Sequence, residues 1–210
     1  LSDEDRAGRE LFAHWCTEAG MSLSVDPIGN LFARRPGSDP DAAPVMMGSH
    51  LDTQPEGGRF DGVYGVLAGL EVVRTLNDLG IQTRKPLEVA VWTNEEGARF
   101  TPAMFGSAVF TGVMALDAAL AVRDVDGISV AQALQRTGYA GSRPLGAAVD
   151  AYFEAHTNRA RSLKTTPRAS AWSAAARPSA GSMCRSKAWR PTPVPRRCRY
   201  ARMRCTARRR

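Results

Sequence analysis

Three separate segments of this 210-residue chain supply five donors: His50-Leu51-Asp52, a glycine-bracketed aspartate in Gly57-Gly58-Arg59-Phe60-Asp61-Gly62, and the adjacent pair Glu95-Glu96. Two neighbouring divalent ions require a bridging carboxylate, imidazole and carboxylate caps on each ion, and a free carboxylate to take a proton from water. Hydrolysis is the chemistry such a set performs. Each piece alone has an ordinary reading: His-x-Asp as a surface pair, Asp61 as a turn aspartate between glycines, Glu95-Glu96 as a solvated pair at a strand end. All three in this order favour the metal reading.

The elements that must position these residues are legible in outline. Ser2 with Asp5 three residues on, ahead of Leu11, Phe12 and Trp15, predicts a helix opening, and Gly20 predicts its end. A turn at Asp26-Pro27-Ile28-Gly29-Asn30 leads into a strand near Leu31 to Ala33. Val45 to Gly48 and Leu87 to Trp92 are apolar runs of strand length. Between them Val63, Val66, Leu67, Leu70, Val73 and Leu76 recur at helical spacing up to Gly80. Alternating strands and helices predict an α/β sheet whose chemistry gathers at strand ends, where His50 and Glu95-Glu96 fall.

The strings Gly48-Ser49-His50-Leu51-Asp52-Thr53-Gln54-Pro55, Gly57 to Val66, and Trp92 to Phe100 resemble the hydantoinase/carbamoylase branch of the zinc amidase and carboxypeptidase family. The resemblance runs from about Ser2 to His156, and Asp150 to His156 is similar to the approach to that family's next metal histidine. It implies an incomplete zinc-exopeptidase-like catalytic domain, helices around a mixed sheet, over 1–156. It implies two divalent ions, zinc or manganese or cobalt. His50, Asp61 and His156 would hold one; Asp61, Glu96 and a far C-terminal histidine would hold the other. Asp52 would orient the His50 imidazole and Glu95 would act as general base. Arg99, Met104, Gly106 and Ser107 resemble a loop beside the site, with no chemical role assigned.

The implied substrate is a small molecule, an N-carbamoyl-L-amino acid or ureido acid. Thr53-Gln54-Pro55 resembles the carbamoylase and β-ureidopropionase side more than the allantoate amidohydrolase side. The intact family enzyme is a homodimer, and its dimer domain is absent here. Only His14, His50 and His156 are histidines in this chain, and His14 reads as a structural residue near Trp15, so the second ion lacks a cap.

Charge divides the chain. Residues 1–155 carry 12 basic and 21 acidic side chains, a net of −9, whereas 156–210 carry 16 basic and none acidic, a net of +16. The second part has one Leu, one Val, no Ile and no Phe, too little apolar material to offset the entropy of ordering it, so 157–210 is expected to be a disordered basic tail. Its cations with Trp172, Trp189 and Tyr200 could neutralise phosphates and stack on bases, but no nucleic-acid motif accompanies them. Cys16, Cys184, Cys198 and Cys205 form neither a CxxC pair nor a disulfide framework. Ser49 and Cys16 lack a nucleophile-elbow context. No run reaches the roughly 18 apolar residues of a membrane span, and Leu1 to Asp5 does not open a secretory signal; a cytoplasmic location is expected.

A shifted reading frame accounts for the change after His156. Joining each codon's last base to the next codon's first two lets Thr157 to Lys164 encode Glu-Gln-Gly-Pro-Val-Leu-Glu. In that frame Trp189 onward can encode Ala-Ser-His-Ala-Gly-Pro-Thr-Pro-Met. Both strings resemble the same family, in order, as loss of one base in an isoleucine codon would produce.

Overall fold

Hydrophobic patterning builds the scaffold from both ends of the period table of secondary structure: 3.6 for helices and 2 for strands. The computed structural model describes residues 1–157 and the strand 172–175. Helix α1 (Asp3–Glu18) opens on Ser2, whose Oγ accepts the Asp5 N–H at 3.3 Å, and ends at Ala19 before Gly20, which has φ +76°. Strands β1 (Ser22–Val25), β2 (Leu31–Arg35) and β3 (Val45–His50) follow, then helix α2 (Asp61–Asp78) and β4 (Leu87–Trp92). Next come α3 (Phe105–Phe110), α4 (Leu116–Ala121), α5 (Val130–Thr137), β5 (Ala151–Ala155) and β6 (Trp172–Ala175).

The sheet order is β1-β2-β4-β3-β5-β6. β3 is parallel to both β4 and β5, while β1, β2 and β6 join antiparallel. The expected mixed α/β sheet is therefore present. β4 is buried at all six positions, as a central strand with both faces covered must be. On one face α1 and α2 pack Phe12, Cys16, Val66, Leu70 and Val73 against Leu31, Ala33, Val89 and Val91. On the other, Phe32, Met46, Ala90, Trp92 and Phe110 form a second cluster, with Phe32 edge-on to Trp92.

Several elements extend or add to the sequence outline. β2 and β3 run two residues further than their apolar cores, because ladder pairing to β4 continues through Arg35 and His50. β1, α3, α4, α5 and β5 have short or weakly periodic stretches and are seen only in the fold. α5 nevertheless carries a capping box, Ser129 with Gln132, and a left-handed Gly138, which are sequence-visible signals. Of the segment expected to be disordered, β6 pairs with β5; ladder hydrogen bonds depend little on side-chain identity, and an open strand edge accepts them. The rest of 158–210 lies outside the described residues. Among the described residues no helix is long and apolar enough to cross a membrane.

Candidate metal centre

The parallel strands β3, β4 and β5 end side by side, and α2 begins opposite them, so four segments deliver the candidate residues to one place. His50 is the last residue of β3, Asp61 the first of α2, His156 follows β5, and Glu95 and Glu96 lie just past β4. Both His50 and Asp61 are buried, with 0% and 3% exposure. An acidic side chain in the first turn of an 18-residue helix is favoured by the helix dipole.

His50 Nε2 lies 3.2 Å from His156 Nε2 and 3.3 Å from Glu95 Oε2. His156 Nε2 lies 3.4 Å from Asp61 Oδ1. The outer nitrogens decide the protonation: His50 Nδ1 is 2.8 Å from the Asp52 carbonyl oxygen, and His156 Nδ1 is 2.9 Å from that of Thr157. A carbonyl only accepts, so a neutral ring here would carry its proton on Nδ1 and turn Nε2 inward as an acceptor. Two ring nitrogens and a carboxylate oxygen converge. A cation among them would be held by all three. Two imidazole nitrogens bound at about 2.0–2.1 Å to one tetrahedral zinc would lie about 3.3 Å apart, so the spacing already fits a divalent ion.

Among the described residues two donor groups bring their ligand atoms within 4.8 Å of one another, His50–Asp61–His156 and His50–Glu95–Glu96. They share His50, whereas the family resemblance puts Asp61 in both ligand sets. The Asp61 carboxylate is turned toward β5, where Thr157 Oγ1 donates to Oδ1 at 3.4 Å. Glu96 is turned toward the β3 loop, where Gln54 Nε2 donates to its Oε2.

Asp52 lies beside the His50 ring, as expected, and has further partners. Its Oδ1 is 3.7 Å from His50 Nδ1, too far for a hydrogen bond, and its backbone carbonyl faces the ring instead. The carboxylate accepts the Glu95 and Glu96 N–H groups at 3.1 and 3.0 Å. Two adjacent amides offer a carboxylate a fork that one imidazole nitrogen cannot. Asp52 thus orders the turn that carries both glutamates.

That turn is held from below as well. Asn94 adopts φ +51°, a left-handed conformation that asparagine tolerates, and its Nδ2 donates to the Phe100 and Pro102 carbonyls at 2.8 and 3.1 Å. The Met104 N–H donates to the Glu95 carbonyl at 2.8 Å. Of the other loop residues, Gly106 accepts from Asn30 Nδ2 at 2.9 Å, and Arg99 pairs with Asp124 at 2.8 Å. Sequence reasoning named Gln54 and Met104 but assigned neither these contacts nor any part to Asn94; only the asparagine before two glutamates is a local signal. His14 is on the solvent side of α1, 3.3 Å from Glu18, and takes no part. Burial pushes the Glu95 carboxyl above its ordinary range; Glu96 and Asp52 add to this, and His50 and His156 oppose it. Beside the donors, Asp52, Gln54, Arg59, Asp61 and their neighbours line a cavity of about 250 Å³.

The model of peptidase family M20/M25/M40 matches residues 46–190. The chain belongs to this family. Within it, the chain falls in the hydantoinase/carbamoylase amidase branch. It is 58% identical over 157 residues to an N-carbamoyl-L-amino-acid amidohydrolase of Rhizobium meliloti, covering 74% of this chain and 38% of that protein. It is 44% identical over 166 residues to the N-carbamoyl-L-amino acid amidohydrolase of Geobacillus stearothermophilus, covering 77% and 40%. A crystal structure of a hydantoinase/carbamoylase family amidase from Burkholderia ambifaria superposes with a TM-score of 0.76 at 68% identity, over 78% of this chain and 40% of that one. The chain thus spans about two fifths of the length of these family members.

Proposed function

We propose that these residues are the metal-binding part of an amidohydrolase that cleaves the ureido C–N bond of N-carbamoyl-L-amino acids. Cleavage consumes one water and releases the amino acid and carbamic acid, which breaks down to carbon dioxide and ammonia. The observation that carries this reading is the convergence of His50 Nε2, His156 Nε2 and Asp61 Oδ1, 3.2 and 3.4 Å apart, with Glu95 Oε2 alongside at 3.3 Å.

His50, Asp61 and His156 would hold one divalent ion, zinc, manganese or cobalt, and Glu96 would contribute to a second. Bound ions would polarise the ureido carbonyl and lower the pKa of water. The chain's own residues supply proton transfer and alignment. Glu95, with its raised proton affinity, takes a proton from water and passes it to the leaving nitrogen. Asp52 and the Met104 amide hold the Glu95 backbone so that its carboxylate stays beside His50.

The intact enzyme, homodimeric in this reading, would need the histidine and the substrate-clamping domain encoded beyond a one-base loss after His156. Sequencing across the codons of His156 and Thr157 tests the frame, and stop codons scattered through the restored frame would overturn it. The restored protein should hydrolyse N-carbamoyl-L-amino acids only when loaded with zinc, manganese or cobalt. A restored protein that binds two ions yet cleaves no ureido acid would sink the functional reading. Residues 1–210 tested by themselves should show no turnover above background.

A further inference from the structure

The backbone ladder between β3 and β5 stops at Met47 opposite Phe153, three residues before each of the two histidines. The β3–β4 ladder, by contrast, continues to His50 opposite Trp92. The spacing between His50 and His156 is therefore not set by main-chain pairing. Side chains take over. Ser49 Oγ donates to Glu154 Oε1 at 2.6 Å, and Tyr152 OH, with one proton to give, lies 2.8 Å from Glu154 Oε2 and 3.2 Å from the Gly48 carbonyl oxygen. Tyr152 OH in turn accepts from Trp92 Nε1 at 2.8 Å. One carboxylate thus links β3 and β5 and, through Tyr152, β4, one residue before His50 and two before His156. Ser49 is fully buried, and α2 presses on the same spot: a Cβ at Gly65 would come within 2.8 Å of Ser49 Cβ and collide with the Ala155 carbonyl.

We infer that Glu154 is a positioning residue that sets the gap between the two metal-facing imidazoles. This rests on the reading that His50 and His156 hold a metal. Hydroxyl-to-carboxylate bonds are short and roughly twice as strong as neutral ones; Oε1 spans from β5 to β3, and Oε2 is held by Tyr152 of its own strand, which fixes the carboxylate's orientation. Glutamine offers one acceptor oxygen and keeps part of the link. Leucine keeps the bulk and none of it.

The test is a cobalt titration of the full 210-residue chain, read by the visible absorption bands of the bound ion and by competition with a chromophoric chelator. Glu154→Leu should weaken cobalt binding about tenfold or more and change the band intensities, while circular dichroism stays that of the folded chain. Glu154→Gln should recover part of the affinity. Ser49→Ala, which removes the same link from the β3 side, should weaken binding in the same direction, and its effect should largely vanish in the Glu154→Leu background. Asp61→Ala controls for the underlying reading: if it binds cobalt like the unaltered chain, the metal site itself is refuted. If Asp61→Ala loses cobalt while folded Glu154→Leu keeps the unaltered affinity and spectrum, the strut alone is refuted. Should Glu154→Leu fail to fold, Ser49→Ala decides, and unaltered affinity there overturns the inference.

Discussion

Gly62 lies flat against the His50 imidazole, so close that a Cβ at position 62 would overlap the ring at Cδ2, Cγ and Nε2. The first turn of α2 therefore does two things at once: it presents Asp61 to the site and leaves room for the histidine that Asp61 accompanies. Gly62→Ala should push the ring out of line while adding a better helix former. Metal affinity should fall tenfold or more, with thermal stability changed by only a few degrees. Isothermal titration beside a melting curve separates the two, and unaltered affinity would show that the ring has slack.

Asp61 and Glu95 should respond differently to substitution, because in the proposed function one carboxylate would accompany a cation and the other would move a proton. Asp61→Ala should lose metal. Glu95→Gln should keep metal content near that of the unaltered protein yet lower turnover of the frame-restored enzyme about 10²–10⁴-fold. Mass-spectrometric metal analysis with a carbamoylase assay checks the contrast, and a Glu95→Gln enzyme that keeps substantial activity would reverse the assignment.

Arg9 is a buried cation, 1% exposed, that pairs with Asp5 at 3.0 Å, donates to the Gly29 carbonyl at 2.7 Å and lies over the Tyr139 ring at 5.2 Å. Removing Arg9 leaves the Asp5 carboxylate with the Leu1 ammonium at 2.8 Å and takes the donor from the buried Gly29 carbonyl. Arg9→Leu should cost about 1–3 kcal/mol, read as an earlier midpoint in urea. A shift within error would mean that water reaches Asp5 freely.

Burial pushes the Cys16 thiol up to about 12. The native state therefore holds this proton more tightly than the unfolded chain does. Its contribution to stability is complete below about pH 8.5 and declines as pH rises toward 12. Cys16→Ala should flatten the stability curve between pH 9 and 11 relative to the unaltered chain. Iodoacetamide at pH 8 should label Cys16 only on unfolding; rapid labelling of the folded chain would contradict its burial.

The sequence by itself determined which donors exist and the local elements that carry them. Ser2 and Gly20 bracket α1, the spacing from Val63 to Leu76 marks α2, and Leu87 to Trp92 coincides with β4. These follow from contacts a few residues long, where period and capping act directly. The tertiary structure alone decided distances between elements. His50 and His156 are 106 positions apart in the chain and 3.2 Å apart in space, because β5 takes the place next to β3 in the sheet. It also gave Asp52, 3.7 Å from the His50 ring, the amides of Glu95 and Glu96 as further partners. It placed Gly62 against the His50 ring and Glu154 between β3 and β5, since the space beside a ring and a link across two strand ends arise only when separate segments pack together.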